Sequence, residues 1–273
     1  MSRLQRQRTS PLRTDAGKRV RSYGALRRHW GHLVTAAGGR VDDVSIGSDS
    51  LIVVNIGDAS APTVLLSAGI HGDEPAAVVA LASLVADGLL DRRFAYRILP
   101  CINPSGFRSG TRFNAKGSDV NRSFAGDGSS PEAQACMAVT AERRYALSID
   151  LHEDAEASGF YGYDLKHRSR RTRGSPIVAA LDGAALPVQE LTSDFDLGYD
   201  GPVDGRAELD RGRVTSSFEQ LAAAFAGWPF ATYLLAAHTE NALIFETPQN
   251  ACFATRVRMH RLAVVAAIAQ LGR

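Results

Sequence analysis

Two histidines in this chain lie directly behind strongly apolar runs, and each has a carboxylate within three residues. His71-Gly72-Asp73-Glu74 follows the run at residues 64–70, and Asp150-Leu151-His152 closes the run at residues 146–151. An imidazole and a carboxylate three residues apart converge on one ion when the chain turns sharply between them, and Gly72 eases such a turn. The same residues also suit a plainer role, in which His71 caps a strand and Glu74 begins the helix that Pro75 announces. Asp150 and His152, two apart in an extended segment, leave from one face, so the acid is placed to orient the imidazole as metal-bound histidines usually require. A solvent-facing acid and a core histidine would explain that pair equally. Glu246 ends a third apolar run before Thr247-Pro248. It reads either as a helix cap or as a partly buried carboxylate whose raised pKa lets it exchange protons with an activated water. Arg108, Arg112, Asn121 and Arg122 fall in a polar stretch at residues 103–130. In a solvated loop such arginines do nothing specific, whereas in a hydrolase they offer a fork to a substrate carboxylate and a charge for a developing oxyanion.

Elements must exist to hold these side chains together. Residues 51–56, 64–70, 96–102, 146–151, 160–165 and 242–245 are dense in β-branched and aliphatic residues, which predicts strands. Helical spacing is expected over residues 23–38, 76–90, 131–143 and 253–271, and Ser175-Pro176 opens another helix. Strands alternating with helices imply an α/β fold, a single-domain α/β/α sandwich around a mixed, mostly parallel sheet. Ligands in such sheets gather outside the carboxyl ends of strands, which is where His71 falls. Residues 103–130 and 194–213 read as long loops, and loops of that length are usually functional or disordered.

The 273 residues, 45% of them hydrophobic, suffice for a full core, and no Pro/Gly/Ser-rich stretch divides them. Residues 1–22 are rich in arginine and lack a signal-type apolar segment, so they read as a flexible basic arm before a domain at 23–273. A formal net charge of +2 creates no global field, which argues against nucleic acid or an anionic membrane as partner. No apolar stretch is long enough to span a bilayer. Cys101, Cys136 and Cys252 are too few and too odd in number for a disulfide framework and fit a reducing cytoplasm. The arginine-rich run at 166–173 is a solvated loop or a steering patch for anionic substrates. Tyr161 and Tyr163 line a pocket or simply alternate along a strand. Asp73, Glu153 and Asp154 suit surface or outer-sphere roles better than a second metal site.

Taken in order, these pieces resemble the M14 zinc carboxypeptidases. The segment NPSGFRSGTRFNAKGSDVNRSF, residues 103–124, is similar to the stretch that joins the metal ligands in that family, and the resemblance runs over residues 64–248. It implies a single Zn²⁺ held by His71, Glu74 and His152, with Glu246 as general base and acid. It further implies that Arg112 polarises the scissile carbonyl while Asn121 and Arg122 clamp a substrate carboxylate. The expected substrate is a small peptide or an N-acyl amino acid with a free carboxylate, and the expected enzyme is a zinc metallocarboxypeptidase-like amidohydrolase. No tyrosine stands some twenty residues before Glu246, as the digestive members have, and the chain is short. It is more similar to compact bacterial members, which include peptidoglycan-peptide amidases. The aspartoacylase and succinylglutamate desuccinylase group shares the HxxE and Asn-Arg pattern, so a deacylase of N-acyl amino acids is the alternative. A catalytically silent zinc-binding protein that recognises peptide termini is a third reading, which the presence of Glu246 argues against.

Overall fold

The computed structural model describes residues 12–15, 18–166, 174–192 and 208–271. The first half of the chain contains β1 (Leu12–Asp15), β2 (Lys18–Arg21), α1 (Tyr23–Ala37), β3 (Arg40–Ile46), β4 (Asp49–Ile56), β5 (Thr63–Ala68), α2 (Pro75–Ala86), β6 (Ala95–Leu99), α3 (Pro104–Ser109), a 3-10 turn (Val120–Arg122) and α4 (Pro131–Thr140). The second half contains β7 (Leu147–Asp154), β8 (Tyr161–Lys166), α5 (Gly174–Gly183), β9 (Glu208–Asp210), β10 (Arg213–Ser217), α6 (Phe218–Ala224), α7 (Phe230–Ala237), β11 (Asn241–Pro248) and α8 (Phe253–Ile268).

Among the described residues, nine strands form one mixed sheet in the order β3-β4-β6-β5-β7-β11-β8-β10-β9. The four central strands, β6, β5, β7 and β11, are mutually parallel. Their sequences explain the burial on both faces. In β4, Ile52 and Val54 face one cluster with Trp30, Leu81 and Val264, while Leu51 and Val53 face the other with Phe124, Cys136 and Phe230. Period-two alternation therefore supplies both helical layers with apolar surface, and the sandwich expected from the sequence is what forms. Truncating a fully buried side chain such as Leu66 typically costs about 2–5 kcal/mol, so the frame beneath the strand ends is stiff.

The helices carry the anticipated signals. Ser130 Oγ accepts from Ala133 N at 3.2 Å at the start of α4, and Ser22 caps α1 in the same way. Gly38 ends α1 in the left-handed region that glycine tolerates.

Several boundaries differ from the sequence reading. His152 and Glu246 do not end their strands: β7 runs on to Asp154 and β11 to Pro248, because the two pair in register, with Glu246 opposite His152. The 103–130 loop contains α3 and the 3-10 turn, held by asparagine and aspartate side chains that satisfy local backbone donors. Asn103 Oδ1 accepts from Gly106 N, and Asp119 Oδ1 from Asn121 N. Residues 167–173, and with them most of the arginine-rich run, lie outside the described residues, as do residues 193–207 of the second loop. Residues 1–11 of the basic arm lie outside them too, while β1 and β2 pair antiparallel. Among the described residues, no helix is long and apolar enough to cross a membrane.

Candidate active site

His71 and Glu74 sit on a tight turn between β5 and α2, with Glu74 N bonded to His71 O at 3.4 Å. The turn is pressed onto α3 so closely that a Cβ on Gly72 would lie 1.9 Å from the Gly106 carbonyl carbon. Only glycine allows that approach. Glu74 occupies the N-cap position of α2, yet its side chain makes no capping bond. The cap comes instead from Glu153, whose Oε1 accepts from Ala76 N at 2.6 Å and whose other oxygen pairs with Arg256. Glu74 does begin the helix by position, as the plainer reading has it, but another acid supplies the side-chain cap and leaves the Glu74 carboxylate free of that role. Burial pushes the Glu153 carboxyl up to about 7 against the pull of Arg256.

Glu74 turns its freed carboxylate toward two imidazoles. Its Oε1 lies 2.6 Å from His71 Nδ1, and its Oε2 lies 3.0 Å from His152 Nδ1. The second contact has ion-pair distance without hydrogen-bond geometry, so Oε2 remains buried and unsatisfied. One donor atom from each of His71, Glu74 and His152 lies within 4.8 Å of the others, and all three residues are buried. The outer nitrogens also face carboxylates. His152 Nε2 is 3.0 Å from Asp150 Oδ2, and His71 Nε2 is 3.4 Å from Asp119 Oδ1. Asp150 is held in turn by Ser67 Oγ at 2.7 Å, its register partner on β5.

The electrostatics favour a cation at this point. Burial alone would raise Glu74, but the two histidines outweigh it and bring its pKa down to about 2. Burial alone would lower His152, but Asp150 and Glu74 outweigh that and raise it well above the ordinary histidine value. Asp119 likewise would rise by burial, and His71 and Arg112 hold it well below the usual carboxylate range. A buried set of two imidazole nitrogens and one carboxylate, with an unsatisfied oxygen and two outer carboxylates, is a donor set that suits a divalent ion such as zinc.

A cavity of about 630 Å³ opens onto this cluster. Arg112, Asn121, Arg122 and Glu246 all line it. Arg112 Nε and Nη2 bind Asp119 Oδ2 at 3.0 and 2.8 Å, which brings Nη1 to 3.3 Å from His71 Nδ1. Asn121 Oδ1 accepts from Phe230 N at 3.0 Å, and the Arg122 guanidinium lies 4.4 Å over the Phe225 ring. Burial raises Glu246 well above the ordinary carboxylate range, opposed by His152 and reinforced by Glu74, Asp154 and Asp150. Tyr161 and Tyr163 also face the cavity, and the Tyr161 hydroxyl donates to Asp154 Oδ2 at 2.8 Å. Arg108 does not join them: it pairs with Asp49 through two 2.7 Å contacts on the surface.

Sequence reasoning passed over Asp119, Ser67 and the capping role of Glu153. Asp119 was visible as the acid of Ser118-Asp119-Val120-Asn121-Arg122, two residues before the paired Asn and Arg. Ser67 and Glu153 act only through tertiary contacts. Among the described residues, no second cluster of metal-binding type accompanies His71, Glu74 and His152.

Comparison with known proteins finds matches in both sequence and fold. Residues 60–194 match the succinylglutamate desuccinylase/aspartoacylase catalytic domain family. The succinylglutamate desuccinylase of Serratia proteamaculans is 34% identical over 137 residues, 45% of this chain and 41% of that enzyme. The murein peptide amidase A of Escherichia coli K12 is 39% identical over 66 residues, 24% of this chain and 27% of the amidase. The chain thus aligns with less than half the length of either relative. Among solved structures, a Shewanella amazonensis protein provisionally named a metallopeptidase superposes with a TM-score of 0.73 at 21% identity, covering 95% of this chain and 98% of that one. A metallo-carboxypeptidase from Burkholderia cenocepacia gives 0.62 at 16% identity, covering 92% and 69%. The fold is that of the metallocarboxypeptidases.

Proposed function

We propose, for a chain whose residues 60–194 match the desuccinylase/aspartoacylase family on a metallocarboxypeptidase fold, that it is a zinc-dependent amidohydrolase cleaving an amide or peptide bond beside a substrate carboxylate. The observation that carries this reading is the Glu74 carboxylate bridging two buried imidazoles on the same cavity as Arg112, Asn121, Arg122 and Glu246. His71, Glu74 and His152 would hold the ion, and Asp150 and Asp119 would fix the two rings. Zinc bound there supplies Lewis-acid polarisation of a carbonyl and activation of water.

The protein's own groups do the rest. Glu246 takes a proton from the attacking water and returns it to the leaving amine. Arg112, tethered by Asp119, donates to the oxygen that gains charge as the carbonyl is attacked. Asn121 and Arg122 receive the substrate carboxylate, and stacking on Phe225 fixes the guanidinium plane.

The cavity wall helps to separate two substrate classes. Asp73, Asp154 and Glu156 share the lining with the arginines, so a second carboxylate on the substrate would meet like charge. That favours a peptide-type amide with one carboxylate at the scissile bond over an N-succinyl amino acid. The deacylase reading rests on the family match and makes the opposite forecast. A screen of free and C-terminally blocked peptides against N-acyl amino acids decides between them, and turnover of N-succinyl substrates in preference to free peptides would overturn ours.

Two variants probe the assignment more finely. Arg122→Ala should raise KM for carboxylate-bearing substrates by about 10- to 100-fold, the loss of one charged hydrogen bond, and leave blocked substrates unaffected. Equal effects on both would remove Arg122 from carboxylate recognition. Asp150→Asn keeps the shape of the side chain but loses the negative charge facing His152. Zinc affinity, measured by competition with a chromophoric chelator, should fall about 10- to 100-fold.

A further inference from the structure

The turn that carries His71 and Glu74 is gripped from outside the region of family similarity. Arg21, the last residue of β2, sends Nη1 to the Gly72 carbonyl oxygen at 2.5 Å. Gly72 is the middle of that turn, one residue after His71 and two before Glu74. The same guanidinium packs over Gly110, at the C-terminal end of α3, where a Cβ would lie 3.1 Å from Arg21 Nη1. Arg21 therefore occupies a slot formed by the metal-binding turn and the helix on which that turn rests. Two features make the slot specific. A residue larger than glycine at 72 would strike Gly106, and Gly110 adopts a positive φ of 69°.

The geometry points to Arg21 as a positioning residue for the metal centre, holding the Gly72 carbonyl so that His71 and Glu74 present their donor atoms together. The physical reason is local. The Gly72 carbonyl lies outside both ladders, since β5 ends at Ala68 and α2 takes over only at its Glu74 N-cap, and the turn's own backbone bond, Glu74 N to His71 O at 3.4 Å, does not use it. A charged donor on the carbonyl restrains the φ and ψ angles on both sides of it, and a guanidinium in a half-buried slot is worth more there than in water. The segment before residue 23, read from sequence as an arm outside the domain, thus supplies part of the site.

This inference rests on the metal reading proposed above, and its test separates the two. Full-length wild type, Arg21→Lys and Arg21→Ala are compared by amide hydrogen exchange without metal and by zinc titration against a chelator. Arg21→Ala should speed exchange selectively in the peptide spanning residues 70–76 and weaken zinc binding about tenfold, the size seen when groups supporting metal ligands are removed. Arg21→Lys, which keeps a donor but loses the fork, should recover part of both effects. Unchanged exchange at the turn together with wild-type zinc affinity in Arg21→Ala would overturn the positioning role. Faster exchange at the turn in a protein whose wild type binds no zinc would support the clamp and overturn the metal reading instead. Should Arg21→Ala prove unstable, Arg21→Met decides instead, because it keeps an aliphatic stem in the slot without a donor, and wild-type zinc affinity with wild-type exchange at the turn in that variant would overturn the positioning role.

Discussion

Replacing Glu246 with glutamine is expected to lower turnover by about 10²- to 10⁴-fold while the bound metal stays in place, the range that a positioned general acid and base contributes. The expectation follows from position and environment. In parallel register Glu246 lies opposite His152, so its side chain shares a strand face with a proposed ligand, while on its other flank Tyr161 is its antiparallel partner. Among the described residues, no lysine or arginine forms an ion pair with its carboxylate. Burial, Glu74, Asp154 and Asp150 all oppose its ionisation, and His152 favours it. A cation bound at the adjoining cluster would add to the favourable side, and a carboxyl acted on from both sides suits proton transfer in both directions. Glutamine matches the volume and cannot carry the proton. The measurement is kcat with metal content determined on the same preparation. Full zinc loading with activity near wild type would remove Glu246 from the chemistry.

How much of this was legible in the sequence depends on whether the information is local. The central strands were, because period-two burial on both faces writes an apolar run into each. The first half of the site was also legible, since His71 and Glu74 stand three residues apart and Asp150 and His152 two apart. β3 was not read, because RVDDVSI is an edge strand whose adjacent acids, Asp42 half-buried and Asp43 exposed, break the apolar alternation between Val41 and Val44. α6 and α7 were passed over for different reasons: α6 is only seven residues long, although Ser217 and Gln220 give it a local capping box, and α7 has no side-chain cap of its own, Asn121 accepting from Phe230 N at its start. The ambiguity over Glu74 could not be resolved locally at all. Deciding whether it starts a helix or binds a ligand required knowing that Glu153, 79 positions later in the sequence, satisfies the helix terminus. Arg21 belongs to the same class of residue, invisible to spacing because its partner Gly72 is brought near only by the fold.

The second large effect concerns the metal itself. His152→Ala should abolish stoichiometric zinc binding and reduce hydrolysis to background, a loss of at least about 10³-fold. His152 is fully enclosed and is the point where two carboxylates meet, Asp150 on Nε2 and Glu74 on Nδ1, both at 3.0 Å. Removing the imidazole deletes one donor and also leaves Glu74, Asp150 and Glu246 as neighbouring acids with less positive charge among them. Breaking one side of a buried charged pair costs about 3–5 kcal/mol, so the metal-free variant should melt below metal-free wild type. Adding zinc separates that structural cost from the binding role. A ligand that binds only the native state stabilises it by mass action, so wild type should gain Tm with zinc concentration. His152→Ala, if it folds, should gain little or nothing. The outcome that sinks the assignment is a folded His152→Ala protein that still holds one zinc per chain at wild-type affinity and melts higher when zinc is added. In that case the ion would have to sit elsewhere, and the Glu74 bridge between the two imidazoles would be a structural hydrogen-bond network rather than a metal site.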